Sequence, residues 1–154
     1  MEGLERIVLE QPFFAGLGPE FGAAISGCAR NLRFAASEYL FREGESANEF
    51  YLVRQGSVAL ELHSPGQQPI VVATLVEGDI LDGSWLVPPY RWTFDARASE
   101  LVRALGVDAR CLREKCEADH SLGYELMKRF AGAMGERLRA TRLQVADVYG
   151  QRRS

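Results

Sequence analysis

The residues best suited to chemistry lie in one run, DGSWLVPPYRWTFDARA, residues 82–98. It sets Arg91 beside Trp92, with Trp85, Tyr90 and the Pro88-Pro89 pair just before. A guanidinium is a planar fork of donors that matches two oxygens of a carboxylate or phosphate at once. Aromatic neighbours supply flat apolar walls. Together they describe an anion site with an aromatic body. A second reading is equally physical. Large aromatics fill cores more often than they bind, and Arg91 has Asp82 and Asp95 at hand for a plain ion pair.

Other reactive residues combine less well. Cys111, Cys116 and His120 have the spacing C-x4-C-x3-H. Zinc wants four ligands with tighter cysteine pairs, and no second pair exists. On one helix, sulfurs five residues apart point about 140° away from each other. The expected role is small buried apolar side chain, and no metal is expected. The three cysteines include Cys28, make an odd number and contain no C-x-x-C. No disulfide framework is expected, and a reducing cytoplasm fits. His63 closes a strand-like run before Ser-Pro-Gly and is expected in water. G-x-S-x-G, H-E-x-x-H and the phosphate loop are all missing, so the chain is not expected to be an enzyme.

Charge and length narrow the partners. The net charge of −3 over 154 residues favours neither nucleic acid nor anionic membrane. Nothing approaches the roughly 20 apolar residues of a membrane span, and the start MEGLERIVLEQPFF has no signal-peptide run. Lys128, Arg129, Arg137, Arg139, Arg142, Arg152 and Arg153 are interleaved with Glu125, Glu136 and Asp147, the look of a solvated helix face.

The elements that must position Arg91 follow from periodicity. Leu17, Phe21, Ala24, Ile25 and Cys28 recur at three- and four-residue steps, with Pro19 in the first turn of a helix. From about residue 32, short β-branched runs are punctuated by Gln55-Gly56, SPGQQP and Gly78-Asp79, the rhythm of an antiparallel sandwich or roll. No βαβ alternation occurs, which argues against a parallel nucleotide-binding sheet. From Asp108 the pattern is helical again: a short helix, then a long one capped by Asp119 and running to about Tyr149, roughly 43 Å. On it Met127, Ala131, Met134, Leu138, Thr141, Val145 and Val148 step by four and three, a heptad seam. Leu126, Phe130 and Ala133 form an adjacent stripe for the roll. Two stripes favour two partners, the chain's own core and a second copy of the helix, over the plainer reading of one wide apolar face on the chain's own core.

FREGESANEFYLVRQGSVAL, residues 41–60, resembles the cyclic-nucleotide-binding domain family. Gly44-Glu45, the Phe50–Val53 strand and Gly56-Ser57-Val58 fall where that family has its structural glycines and first hairpins. Gly78-Asp79 resembles the opening of its phosphate-binding cassette. The resemblance covers about residues 10–149. It implies an α+β fold: an antiparallel β-roll or jelly roll flanked by N-terminal helices and a long C-terminal helix. It also implies a short cassette helix whose backbone N–H groups and arginine hold a cyclic phosphate, while a glutamate takes the ribose hydroxyl. Arg91 matches the arginine, with Thr93, Ala96 and Ala98 continuing the motif. Gly83 stands where the glutamate is expected, Asp82 where a glycine is, and Trp92 where a small residue is. A glycine offers the ribose no acceptor, and an acid at Asp82 opposes phosphate.

The expectation is therefore one domain over 1–154, with helices in 1–31, a β-roll in 32–107 and helices in 108–150. Its function would be cytoplasmic sensing, with no fused effector and no DNA-binding domain. The ligand would be a small organic anion, a weakly bound cyclic nucleotide included, held among Asp82, Gly83, Ser84, Trp85, Arg91, Trp92 and Thr93. No resident cofactor is expected. The partners would be a second copy of the chain and an unidentified protein. In the alternative the aromatics fill the pocket, and the domain is a ligand-free interaction or dimerisation module.

Overall fold

The structure is a computed structural model that describes residues 2–81 and 83–153; at 2, 144, 145, 148, 149 and 151–153 only the backbone path is described. α1 (Glu2–Glu10), a 3-10 turn at Pro12–Phe14 and α2 (Pro19–Ser26) open the chain. Pro19 sits in the first turn of α2, where a missing N–H costs nothing. Gly22 packs so tightly under Leu9 that a Cβ there would come within 2.7 Å of its side chain. That close approach clamps α1 on α2.

Two antiparallel sheets follow. One orders β1 (Ala29–Phe34), β7 (Val102–Asp108) and β3 (Glu49–Gln55) as β1-β7-β3. The other orders β2 (Tyr39–Phe41), β6 (Asp95–Ala98), β4 (Val58–Leu62) and β5 (Ile70–Leu75) as β2-β6-β4-β5. This is the expected α+β roll. β1 begins at Ala29, inside the stretch read as helical, because Ala29 pairs with Val107 across the sheet. Long-range pairing overrides a local helical pattern there. α3 (Ala109–Ala118) is capped by Asp108, whose Oδ1 accepts from the Cys111 N–H at 2.8 Å. α4 (His120–Arg153) is 34 residues long, about 51 Å, and runs past the expected end. Asp119 Oδ1 accepts from the N–H groups of Ser121 (3.0 Å) and Leu122 (3.2 Å), which is the expected cap.

The core runs through both layers: Phe14, Ile25, Phe50, Leu52, Leu60 and Leu105 are fully buried. α4 joins it through Leu122 and Leu126, with Phe130, Ala133 and Met134 packed at its margin. Among the described residues no helix is long and apolar enough to cross a membrane.

Two expectations are overturned and one is extended. Cys28 and Cys111 form a disulfide, with Cα atoms 5.7 Å apart. Their helical spacings were legible, but their juxtaposition depends on where β7 delivers α3, which no local pattern encodes. Cys116 keeps its thiol, and burial beside Glu117 and Asp119 pushes that thiol's pKa up. His63 is exposed as expected but also paired: its Nε2 lies 2.8 Å from Asp95 Oδ2 and 3.5 Å from Glu61 Oε1. The pairing of Glu61 with Asp95 between β4 and β6 brings the two buried acids together, and His63 and Arg97 answer them. Arg129 and Arg137, read as part of a solvated face, turn inward to backbone carbonyls of Phe13, Ile80 and Leu81.

Candidate functional site

The cassette is the segment between β5 and β6. It begins at a turn where Gly78 has φ +91°, a conformation cheap only for glycine. Asp79 closes that turn, its Oδ2 accepting from the Val76 N–H at 2.9 Å. Tight turns follow at Gly83–Leu86 and Val87–Tyr90, each closed by a backbone bond of 3.0 Å. The Pro88-Pro89 bond is cis. The return strand is pinned by a short ladder in which Ala47 bonds to Tyr90, Gly44 to Trp92 and Trp92 to Glu45. Ser46 and Arg91 face each other in that ladder.

Arg91 stands exposed at its edge, and its Nη1 donates to the Gly44 carbonyl at 2.8 Å. It has no ion pair with Asp95, whose carboxylate is occupied by the Arg42 guanidinium, His63 and the Glu43 N–H. Asp82 lies outside the described residues. Thr93 is exposed beside Arg91, and Ser84 is buried. Both tryptophans are buried. Trp92 stacks on Phe41 with ring centres 3.7 Å apart and planes 7° from parallel, and Tyr51 flanks it. Burial pushes the Tyr51 phenol up to about 12, with Glu49 adding to the effect. Trp85 meets Phe50 and Phe130 edge-to-face, and its indole Nε1 has no partner among the described residues. These rings act as wall and filling, not as exposed stacking platforms.

Gly83 has a steric reason to be glycine. A Cβ there would lie 2.3 Å from Cζ of Phe130 on α4. Gly83, which the resemblance aligns with the family's glutamate, thus lies directly under the long helix. Two arginines strengthen that docking. Arg137 of α4 donates to the carbonyls of Ile80 and Leu81, and Arg113 of α3 donates to the Trp85 carbonyl while lying 4.3 Å over the Tyr90 ring. Neither arginine was singled out in the sequence for this role. Nothing in their neighbours distinguishes a carbonyl-seeking arginine from a solvated one.

Beside the cassette is a groove of about 510 Å³ between β5 and α4, lined by Val72–Leu75, Ile80, Ala133, Arg137 and Thr141 among others. Arg91 does not line it. Among the described residues no cluster of His, Cys, Asp and Glu is arranged to hold a metal ion. Of the expected seam, Ala131, Leu138 and Thr141 are exposed, while Met127 and Met134 lean on the protein's own core; the side chain of Val145, like that of Val148, is outside the description.

Comparisons with known proteins bear on the family and the fold. The sequence profile named "Cyclic nucleotide-binding domain" matches residues 31–119. A CRP-like cAMP-activated global transcriptional regulator of Mycobacterium tuberculosis is 22% identical over 145 residues, which are 94% of this chain and 63% of that protein. The chain thus spans under two thirds of the length of this relative. Among solved structures, a protein of Geobacter metallireducens described as cyclic nucleotide-binding superposes with a TM-score of 0.78. It is 32% identical, over 90% of this chain and 99% of that one. The regulatory domain of Toxoplasma gondii PKA, solved with cAMP, gives 0.71 at 18% identity, over 88% of this chain and 49% of that one. The last likeness is one of fold alone.

Proposed function

This chain belongs to the cyclic nucleotide-binding domain family, and from that premise we propose that it is a regulatory sensor domain whose atypical cassette takes a small organic anion, with Arg91 as the anion anchor. One observation supports this reading above the rest. The cassette is wedged against α4 through Gly83, Trp85 and the Ile80–Leu81 carbonyls, so any ligand that moves it must move the helix. The Arg91 guanidinium lies at the exposed rim on a carbonyl, a contact that a carboxylate or phosphate can outcompete because charge-assisted bonds are the stronger ones. The ribose-binding carboxylate is replaced by Gly83, so a cyclic nucleotide would bind weakly and a simpler anion is favoured. Nothing in this arrangement calls for catalysis. Output would pass through a dimer of α4 or through a protein partner.

A second reading, a ligand-free interaction module, is favoured by one observation: the Trp92–Phe41 stack already fills the apolar space behind the return strand. Thermal denaturation with cyclic AMP, cyclic GMP and a panel of small carboxylates separates the two. Ligand binding stabilises the fold by mass action, about 2.7 kcal/mol at a hundred times Kd. The sensor reading expects a saturable rise in Tm for at least one anion, lost in Arg91→Ala. No shift with any anion would leave the interaction module standing.

A further inference from the structure

We propose that the Cys28–Cys111 disulfide is a redox latch on the cassette, acting through α3. The two cysteines join distant parts of the chain, the exit of α2 and the first turn of α3. Around them the backbone is already paired: the Asp108 N–H donates to the Cys28 carbonyl at 2.8 Å, and Asp108 caps the helix that carries Cys111. Two residues past Cys111, Arg113 reaches the Trp85 carbonyl and covers the Tyr90 ring. The same short helix therefore holds the disulfide near one end and the cassette in its middle. Its far end meets α4, where Gly123 sits against Cys116 so closely that a Cβ would lie 3.2 Å from the Cys116 carbonyl oxygen. Any relaxation of the N-terminus of α3 is delivered to the groups that hold the cassette.

The latch is reachable. A groove of about 620 Å³ is lined by both Cys28 and Cys111, with the Arg30–Glu49 ion pair on its side. A dithiol entering there would attack one sulfur through its thiolate and resolve the mixed disulfide with its second sulfur. The balance is two electrons and two protons from the dithiol to the protein, giving two cysteine thiols and one disulfide of the reductant. Cys116 is a poor competitor: it is half-buried and its thiol is held protonated by burial and by Glu117 and Asp119.

The inference rests on the cassette being the moving part of the sensor, but its test involves no ligand, so it fails or survives independently of that reading. Hydrogen exchange of the whole chain is measured in the oxidised state, after dithiothreitol, and in Cys28→Ser and Cys116→Ser. The amides of Leu86 and Tyr90 report the cassette, and that of Leu105 in β7 reports the core. Expected is exchange about tenfold faster at Leu86 and Tyr90 in the reduced protein and in Cys28→Ser, with Leu105 unchanged. Cys116→Ser should behave as wild type in both states. If Cys28→Ser fails to fold, the reversible dithiothreitol comparison decides alone. Three results overturn the proposal: cassette amides indifferent to reduction, loss of protection at Leu105 as well, or thiols at 28 and 111 that stay reduced when the folded chain is equilibrated with oxidised glutathione.

Discussion

At the scale of single residues, Gly83 decides what kind of cassette this is. The resemblance aligns it with a glutamate of the family, and the first carbon of any side chain there would meet the Phe130 ring at 2.3 Å. Restoring the carboxylate as Gly83→Glu should therefore cost stability, about 1–3 kcal/mol, by overpacking. Gly83→Ala should show most of the same loss. In a double-mutant cycle, Phe130→Ala should recover part of it, because the clash needs both partners. Urea denaturation of the four proteins reads the coupling directly. Additive losses would mean that Phe130 is not the obstacle. The sequence showed a glycine at this point but not the steric reason for it, since Phe130 lies far along the chain on another element. Trp85 and Trp92 could be located as aromatics at a cassette, but which of wall, plug or platform they are depends on Phe41, Phe50 and Phe130. His63, Glu61 and Asp95 escaped notice for a similar reason. Each looks ordinary alone, and only the β4–β6 register sets the two buried acids side by side beneath the exposed His63.

Elements were more legible than sites. Apolar spacing located α2, the turn glycines separated the strands, and Asp119 marked the start of α4, because these signals are local and each has its own backbone cause. The stripe of Leu126, Phe130 and Ala133 faces the roll as its periodicity requires. Charge patterning was the weaker guide. Arg137 and Arg139 are near neighbours on α4 and looked alike, yet Arg137 donates to the Ile80 and Leu81 carbonyls while Arg139 pairs with Glu136 in the open. Their substitutions should separate them. Arg137→Met keeps the aliphatic stem but strips the half-buried carbonyls of a charged donor, and should cost about 1–3 kcal/mol. Arg139→Met removes an exposed ion pair and should stay within about 0.5 kcal/mol. Equal effects in thermal denaturation would mean that Arg137 is not what docks the cassette on the helix.

At the scale of the whole molecule, the length of α4 sets the question. The helix is anchored by Leu122 and Leu126, but Leu138 and Leu143 stand 54% and 63% exposed, with little of the chain's own domain beside them. Two exposed leucines on a solvated helix are unremarkable singly. Leu138, however, lies one heptad from the exposed Ala131, a pair that a second copy of the same helix would bury. The neighbouring residue, Arg137, holds the cassette. Adjacent positions on a helix point about 100° apart, so one turn of α4 can grip the cassette on one side and a partner helix on the other. A dimer built this way would place each cassette against a shared helical pair, and displacement of one would shift the seam. Sedimentation equilibrium at micromolar concentration should then show a dimer for the wild type and a monomer for Leu138→Glu, while Arg139→Met stays dimeric. Arg137→Met should weaken the dimer without touching the seam, because it loosens the element that orients it. A monomeric wild type would remove the route from cassette to partner helix and leave a protein partner as the reader of the cassette's position.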